Sequence, residues 1–167
     1  LLFITTVVAL SCLSMYHFLN YTLRKKFQLN NDYVQFASFI GAVLYSFTPY
    51  FTRLIEPGHF FFLFMFAFFP MVLKSYDLLL EAVKIRLKYI FIIFLLILSH
   101  SFCFANPGYI FVYFLIFFLY SMLVCLVGGK KVINTFLRLF IFYSTFILAN
   151  IWWLLPMALT MGNVSTL

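Results

Sequence analysis

The residues best suited to chemistry in this sequence lie in one short polar segment between two long apolar stretches. This segment, residues 53–59, contains Arg53, Glu56, the turn Pro57-Gly58 and His59. An arginine fork matches the oxygens of a phosphate or carboxylate, and an imidazole can act as a general base or a hydrogen-bond donor. The segment therefore predicts a substrate-binding site, although Arg53 and Glu56, three residues apart, could instead form a surface salt bridge.

A second histidine, His100, lies near the end of a later apolar stretch. Ionisable residues within membrane segments usually face protein or a water-filled cavity. We therefore expect His100 to line the same cavity as His59, for which the alternative is an interfacial histidine without a chemical role. The sequence has no metal-ligand spacing, no phosphate-binding glycine loop and no acidic pair, so we expect neither a metal nor a cofactor.

These candidate residues are embedded in a chain with the composition of a membrane protein. Hydrophobic residues make up 66% of it and charged residues only 9%, whereas soluble domains carry roughly 25% charged residues. The long, continuous apolar runs predict helices, because the strands of membrane barrels alternate apolar and polar residues. The net charge of +7 does not indicate a nucleic-acid partner, since the basic residues separate apolar runs instead of forming a basic surface.

The predicted fold class is all-α: a polytopic transmembrane helix bundle of about six membrane helices plus one interfacial amphipathic helix. Apolar runs predict membrane helices near residues 1–23, 33–54, 59–73, 89–104, 109–127 and 132–159. Pro49 is expected to bend or end the second helix, and Pro70 to kink the third. We expect the whole chain, 1–167, to be a single transmembrane helical domain and, because it begins within an apolar run, a fragment of a longer membrane protein.

A charged stripe follows the third helix. Its members, spaced alternately by three and four residues, are Lys74, Asp77, Glu81, Lys84 and Lys88. This spacing places them on one side of a helix. It predicts an amphipathic helix along the membrane interface, an extension of the third helix, or a helix that binds a partner.

The distribution of Lys and Arg sets the predicted orientation. With six helices in strict alternation, ten of the 11 basic residues fall on one side and only Arg53 on the other. The positive-inside rule then makes the loops near Arg24, Lys84 and Lys130 cytoplasmic and puts the candidate site on the outer side of the plasma membrane. Arg138, about two turns inside the last helix, is expected to snorkel to the inner interface.

Two segments resemble sequence patterns of the GT-C-type membrane glycosyltransferases. The first is YSFTPYFTRL at residues 45–54, followed by GHFFF and a later FFP; the second is NIWWLLP at residues 150–156. Met15-Tyr16 together with Arg24 also fits the pattern. The similarity covers about residues 15–156 and is nearest to archaeal and bacterial members such as the YfhO-type proteins.

The resemblance implies a polyprenyl-phosphate-linked sugar donor, an active site on the outer face, and transfer to a lipid, glycan or protein. The family's catalytic acid usually lies in the first outer loop, which would precede Leu1 here, and Arg53 or His59 would neutralise the donor phosphate. The expected partners are the lipid bilayer and a lipid-linked sugar, with no nucleic acid; the oligomeric state stays open.

Two other functions remain open. One is a transporter or lipid flippase, in which Pro49 and Pro70 would mark broken helices around a site. The other is a membrane assembly subunit without catalysis.

Overall fold

The computed structural model describes residues 2–27, 30–47, 60–105, 107–129 and 131–164, and these residues form an all-α structure. Within them lie six α-helices, and a short 3-10 turn, Ser101–Ala105, follows the fourth. The helices are α1 (Leu2–Phe27), α2 (Asn31–Ser46), α3 (Phe60–Glu81), α4 (Leu87–Ser99), α5 (Pro107–Gly128) and α6 (Val132–Val164). The predicted all-α bundle is confirmed.

Four of these helices are long and apolar enough to cross a membrane. Their apolar spans are Phe3–Lys25, Leu63–Glu81, Gly108–Gly128 and Val132–Leu159. Helix α4 has 13 residues, which at 1.5 Å per residue cover about 20 Å, less than the hydrocarbon core of roughly 30 Å. The apolar helices make the chain an integral membrane protein.

The chain divides into two compact units, Leu1–Ser75 and Tyr76–Leu167. In the first unit, α2 packs on α1 with a stripe of mostly small buried residues spaced four apart: Val34, Ser38, Ala42 and Ser46. Gly41 lies beside this stripe, and a Cβ there would come within 2.4 Å of Leu19 Cδ1. Small residues therefore allow α1 and α2 to approach closely, as is common between helices in lipid.

Helix α3 continues through Pro70. A proline has no N–H, so the carbonyl four residues earlier, that of Phe66, loses its helical donor. The hydroxyl of Tyr45 donates to this carbonyl at 2.7 Å, and the Tyr45 ring stacks on the Phe66 ring with centroids 4.1 Å apart. At the next residue of α3, Ser14 Oγ donates to the carbonyl of Ala67 at 2.5 Å. Tyr45 of α2 thus supplies the donor that Pro70 removes, and Ser14 of α1 bonds to the next carbonyl of α3.

The core of the second unit is built from aromatic rings, with α4 and α5 packed on α6. Phe117 and Phe142 stack with centroids 4.2 Å apart, and Tyr76 lies 4.8 Å from Phe142. Phe104 packs edge-on against Phe146 at 4.7 Å. Within this packing the hydroxyls of Tyr76 and Ser121 are 2.5 Å apart, so buried polar groups find partners between helices.

The charged stripe does not form a separate interfacial helix. Helix α3 runs without a break to Glu81, residues 82–86 leave helical geometry, and α4 begins at Leu87. Of the predicted alternatives, the structure shows the extension of the third helix. Because the helix ends at Glu81, Lys84 and Lys88 do not continue the stripe.

Candidate functional site

Three of the four predicted site residues, Arg53, Glu56 and His59, lie outside the described residues, as does Pro49. The fourth, His100, follows the last residue of α4. Its backbone N–H donates to the carbonyl of Ile97 at 3.2 Å, and its own carbonyl accepts from the N–H of Cys103 at 3.0 Å. His100 therefore joins α4 to the 3-10 turn, and its backbone hydrogen bonds fix its position there.

The side chain of His100 is completely buried among aromatic rings. It has no solvent-exposed surface, and its ring centroid lies 5.4 Å from that of Phe104 and 6.3 Å from that of Tyr113. We expected His100 to line an open cavity, but in this structure its side chain is enclosed by neighbouring rings. A substrate could reach the imidazole only if these rings moved, and the assignment of His100 to a substrate site stays a prediction.

The segment 150–156 contacts Ser101, next to His100, through the indole of Trp152. Trp152 Nε1 donates to Ser101 Oγ at 3.2 Å, and Trp153 Nε1 donates to Asn150 Oδ1 at 2.9 Å. Asn150 is fully buried and its Nδ2 donates to the carbonyl of Phe146 at 2.8 Å. Both indole N–H groups thus bond within the protein, a role beyond that of an interfacial aromatic belt.

We call this region the aromatic end of the second unit and define it by five residues: His100, Ser101, Phe104, Asn150 and Trp152. Its polar groups are neutral amides, hydroxyls and rings. It brings together one predicted site residue and one of the segments that carry the family resemblance.

The other end of this unit contains an arginine that sequence reasoning treated as peripheral. Arg138 Nη1 donates to the carbonyl of Leu79 at 2.8 Å and also to that of Leu80, and Nη2 donates to that of Ala82. The last carbonyls of a helix have no intrahelical donor, and a cation near them is favoured by the helix dipole. Arg138 therefore caps α3 instead of only snorkelling to the interface.

The cap explains why α3 stops where it does. Residues 79–88 contain no Gly, Pro or Asn, the residues that usually terminate a helix. The guanidinium of Arg138, contributed by α6, satisfies carbonyls that a longer helix would have bonded internally. The sequence shows a basic residue two turns inside a helix and a helix end without a local stop signal, but it does not specify that the two meet.

Asp77 is buried one turn above this cap. Only 2% of its surface is exposed, and Tyr120 donates its hydroxyl to Asp77 Oδ1 at 2.5 Å. The predicted charged stripe therefore does not face outward at Asp77, because this face of α3 packs within the second unit. The spacing of the charged residues identified this side of α3, but it could not show that Tyr120 of α5 packs against it.

A cavity of about 230 Å³ lies at the capped end of α3. One side is formed by residues 80–83, and the other by one face of the start of α6, where Lys131, Asn134, Thr135 and Arg138 are spaced as helix neighbours. We call this region the charged end and define it by Glu81, Ala82, Lys131, Asn134 and Arg138. Asn134 and Trp152 of the aromatic end are separated along α6 by about 27 Å.

Among the described residues, no group of three or more His, Cys, Asp or Glu side chains is placed to hold a metal ion. In comparisons with known proteins, the chain matches no protein-family model, no curated protein and no solved structure. The two ends are therefore interpreted from the chemistry of their own residues.

Proposed function

We propose that this chain is part of a GT-C-like glycosyltransferase that uses a polyprenyl-phosphate-linked sugar donor at its outer face. The proposal starts from the resemblance of residues 45–54 and 150–156 to that family. The structural observation that supports it is the hydrogen bond from Trp152 to Ser101, because it joins the second of these segments to the turn that directly follows His100.

In this proposal Arg53 binds the donor phosphate, since a guanidinium can bind two phosphate oxygens at once. Glu56 orients the Arg53 side chain. His59 donates a hydrogen bond to the leaving phosphate or accepts the acceptor's proton. His100, which is buried against Phe104 and Tyr113, positions the aromatic end and does not contact substrate in the conformation described above.

The test is sugar transfer by the full-length protein in lipid vesicles, with a polyprenyl-phosphate-linked sugar supplied. Loss of a charge-assisted hydrogen bond corresponds to a decrease of about tenfold to a hundredfold in kcat/KM. We expect this decrease for Arg53→Ala and His59→Ala. The matched controls are Arg86→Ala and His17→Ala, at exposed positions, and these should keep the wild-type rate.

Wild-type rates in Arg53→Ala and His59→Ala, at normal folded yield, would contradict the assignment of these residues. Equal losses in the control variants would show a general effect of the substitutions. Absence of transfer by the wild-type protein would favour an assembly subunit without catalysis.

A transporter or lipid flippase is the second candidate, and the observation that favours it is Pro70 within α3. Prolines within hydrophobic segments commonly mark transport sites, and Pro70 lies inside α3, which continues through it. The measurement that separates the two is movement of a fluorescent lipid-linked sugar between vesicle leaflets with no acceptor present. Movement without transfer would support the transporter, whereas transfer without movement would support the glycosyltransferase.

A further inference from the structure

The guanidinium of Arg138 retains hydrogen-bonding capacity after capping α3. A guanidinium has five N–H donors, and the bonds to Leu79, Leu80 and Ala82 use the two of Nη1 and one of Nη2. The remaining donors are Nε–H and the second Nη2–H. In a guanidinium, Nε–H and one N–H of Nη2 lie in parallel along one edge, which is the geometry that binds two oxygens of a phosphate or carboxylate.

The surroundings of this edge favour an anion. Lys131 and Asn134 line the same cavity as Arg138 and both are exposed. The cavity also lies at the start of α6, where the first N–H groups lack intrahelical acceptors and the helix dipole is positive. Because a water molecule takes up about 30 Å³, the cavity of about 230 Å³ has room for a phosphate group with its ester carbons.

Glu81 limits the charge that the cavity can hold. Glu81 lines the cavity together with Lys131 and Arg138, and part of the Arg138 charge is already balanced by the negative end of α3. A ligand with one negative charge fits this balance better than one with two. A phosphodiester carries one charge, whereas a phosphomonoester carries nearly two at neutral pH.

The apolar residues around the cavity indicate a lipid and not a soluble phosphate. Val83, which lines the cavity, exposes 96% of its surface, and Leu87 and Ile133, which lie close to lining residues in the sequence, expose 80% and 81%. They lie where the apolar helices end, at the depth at which headgroups meet acyl chains. The connection 82–86 adds Lys84 and Arg86 and contains no acid, and such a basic segment attracts anionic lipids.

We propose that the charged end binds the phosphodiester of an anionic phospholipid from the surrounding leaflet. Nε–H and Nη2–H of Arg138 donate to two phosphate oxygens, Lys131 supplies the second cation, and the acyl chains extend past Val83 and Ile133. This site lies at the opposite end of the unit from the proposed glycosyltransferase site and does not depend on that function.

The experiment measures lipid that remains bound when the full chain is purified from vesicles of phosphatidylcholine and phosphatidylglycerol. Native mass spectrometry counts the bound lipids and identifies their headgroups. We expect one phosphatidylglycerol to remain on the wild-type chain in preference to phosphatidylcholine. Removing one cation next to an anionic lipid should reduce this bound fraction about fivefold, and Lys131→Gln is the variant that tests it.

Two further variants separate a built site from general attraction. Asn134→Leu leaves the charge unchanged and fills the cavity with an apolar side chain, so it should remove the bound lipid while the helix stays folded. Lys88→Gln makes the same charge change as Lys131→Gln at an exposed position outside the cavity lining, and it should keep the bound lipid within about twofold of wild type.

Three outcomes would overturn the proposal. Equal losses in Lys131→Gln and Lys88→Gln would show attraction to the surface alone, and undiminished binding in Asn134→Leu would place the lipid outside the cavity. The third concerns the source of the phosphate. If inorganic phosphate or glycerol 3-phosphate raised Tm as much as phosphatidylglycerol does, the occupant would be a soluble phosphate and not a lipid.

Discussion

The charged end and the aromatic end of the second unit satisfy their polar groups in different ways. At the charged end, one long cation reaches from α6 to three carbonyls of residues 79–82 and borders a cavity. At the aromatic end, Asn150 bonds within its own helix, Trp152 bonds to Ser101, and rings surround His100. A ligand can therefore bind at the charged end without rearrangement, whereas the aromatic end must open first.

The difference also predicts where the structure is sensitive to mutation. Arg138 donates to three backbone carbonyls, two of them in the buried residues Leu79 and Leu80, so removing it leaves several polar groups without partners at once. At the aromatic end the exposed indole of Trp152 can turn to water or a lipid headgroup, so losing its partner costs less. Substitutions at the two ends therefore test whether the contrast is real.

The largest effect is expected for Arg138→Leu. The substitution removes three charge-assisted hydrogen bonds to the end of α3, and we expect the free energy of unfolding to fall by about 3 kcal/mol. Reversible unfolding in mixed micelles measures this change. Arg86→Leu, at an exposed position, is the control and should cost less than about 0.5 kcal/mol. Equal costs for the two variants would show that Arg138 does not cap α3.

A smaller effect is expected for Tyr120→Phe, which removes the hydroxyl that donates to buried Asp77. Because the acceptor is a carboxylate, the free energy of unfolding should fall by about 2 kcal/mol. The same substitution in an Asp77→Asn background should cost less, since a neutral amide is easier to bury. Identical costs in the two backgrounds would mean that the hydroxyl and the carboxylate are not coupled.

The helices could be predicted from the sequence, and their contacts could not. Composition and long apolar runs identified a helical membrane bundle, and Pro70 was correctly placed inside the third helix. The burial of Asp77 and the cap made by Arg138 depend on which helix faces which, and periodicity along one helix does not contain that information. The end of α3 at Glu81 was missed for the same reason, because its cap lies more than 50 residues away in the sequence.

The candidate site was predictable only in part. His100 was recognised because an ionisable residue in an apolar run is unusual, but its packing against Phe104 depends on the 3-10 turn, which has no clear sequence signal. Arg53, Glu56 and His59 remain predictions from residue type and spacing.

Tyr45→Phe tests whether a neutral group can perform the same kind of repair that Arg138 performs. It removes the hydroxyl that donates to Phe66 but keeps the stacked ring, and it should lower the free energy of unfolding by about 1 kcal/mol. In a Pro70→Ala background the restored N–H supplies the missing donor, so Tyr45→Phe should cost much less. An unchanged cost would show that Pro70 does not create the need for Tyr45.

The smallest effect is expected at the aromatic end, for Ser101→Ala. This substitution removes the acceptor of the Trp152 indole. Since 58% of the Trp152 surface is exposed, its N–H can bond to water or a headgroup instead, and the cost should be below about 0.5 kcal/mol. A loss as large as that of Arg138→Leu would remove the contrast between the two ends.

The most direct measurement is the distance between the Arg138 guanidinium and lipid phosphorus in a bilayer. Solid-state NMR of the full chain with ¹⁵N-labelled arginine, in membranes that contain phosphatidylglycerol, measures ¹⁵N–³¹P dipolar coupling. A bidentate contact requires a nitrogen about 4 Å from phosphorus, with a signal that is lost in both Arg138→Lys and Asn134→Leu. A coupling that persists in both variants, or no coupling in the wild-type chain, would contradict lipid binding at the charged end.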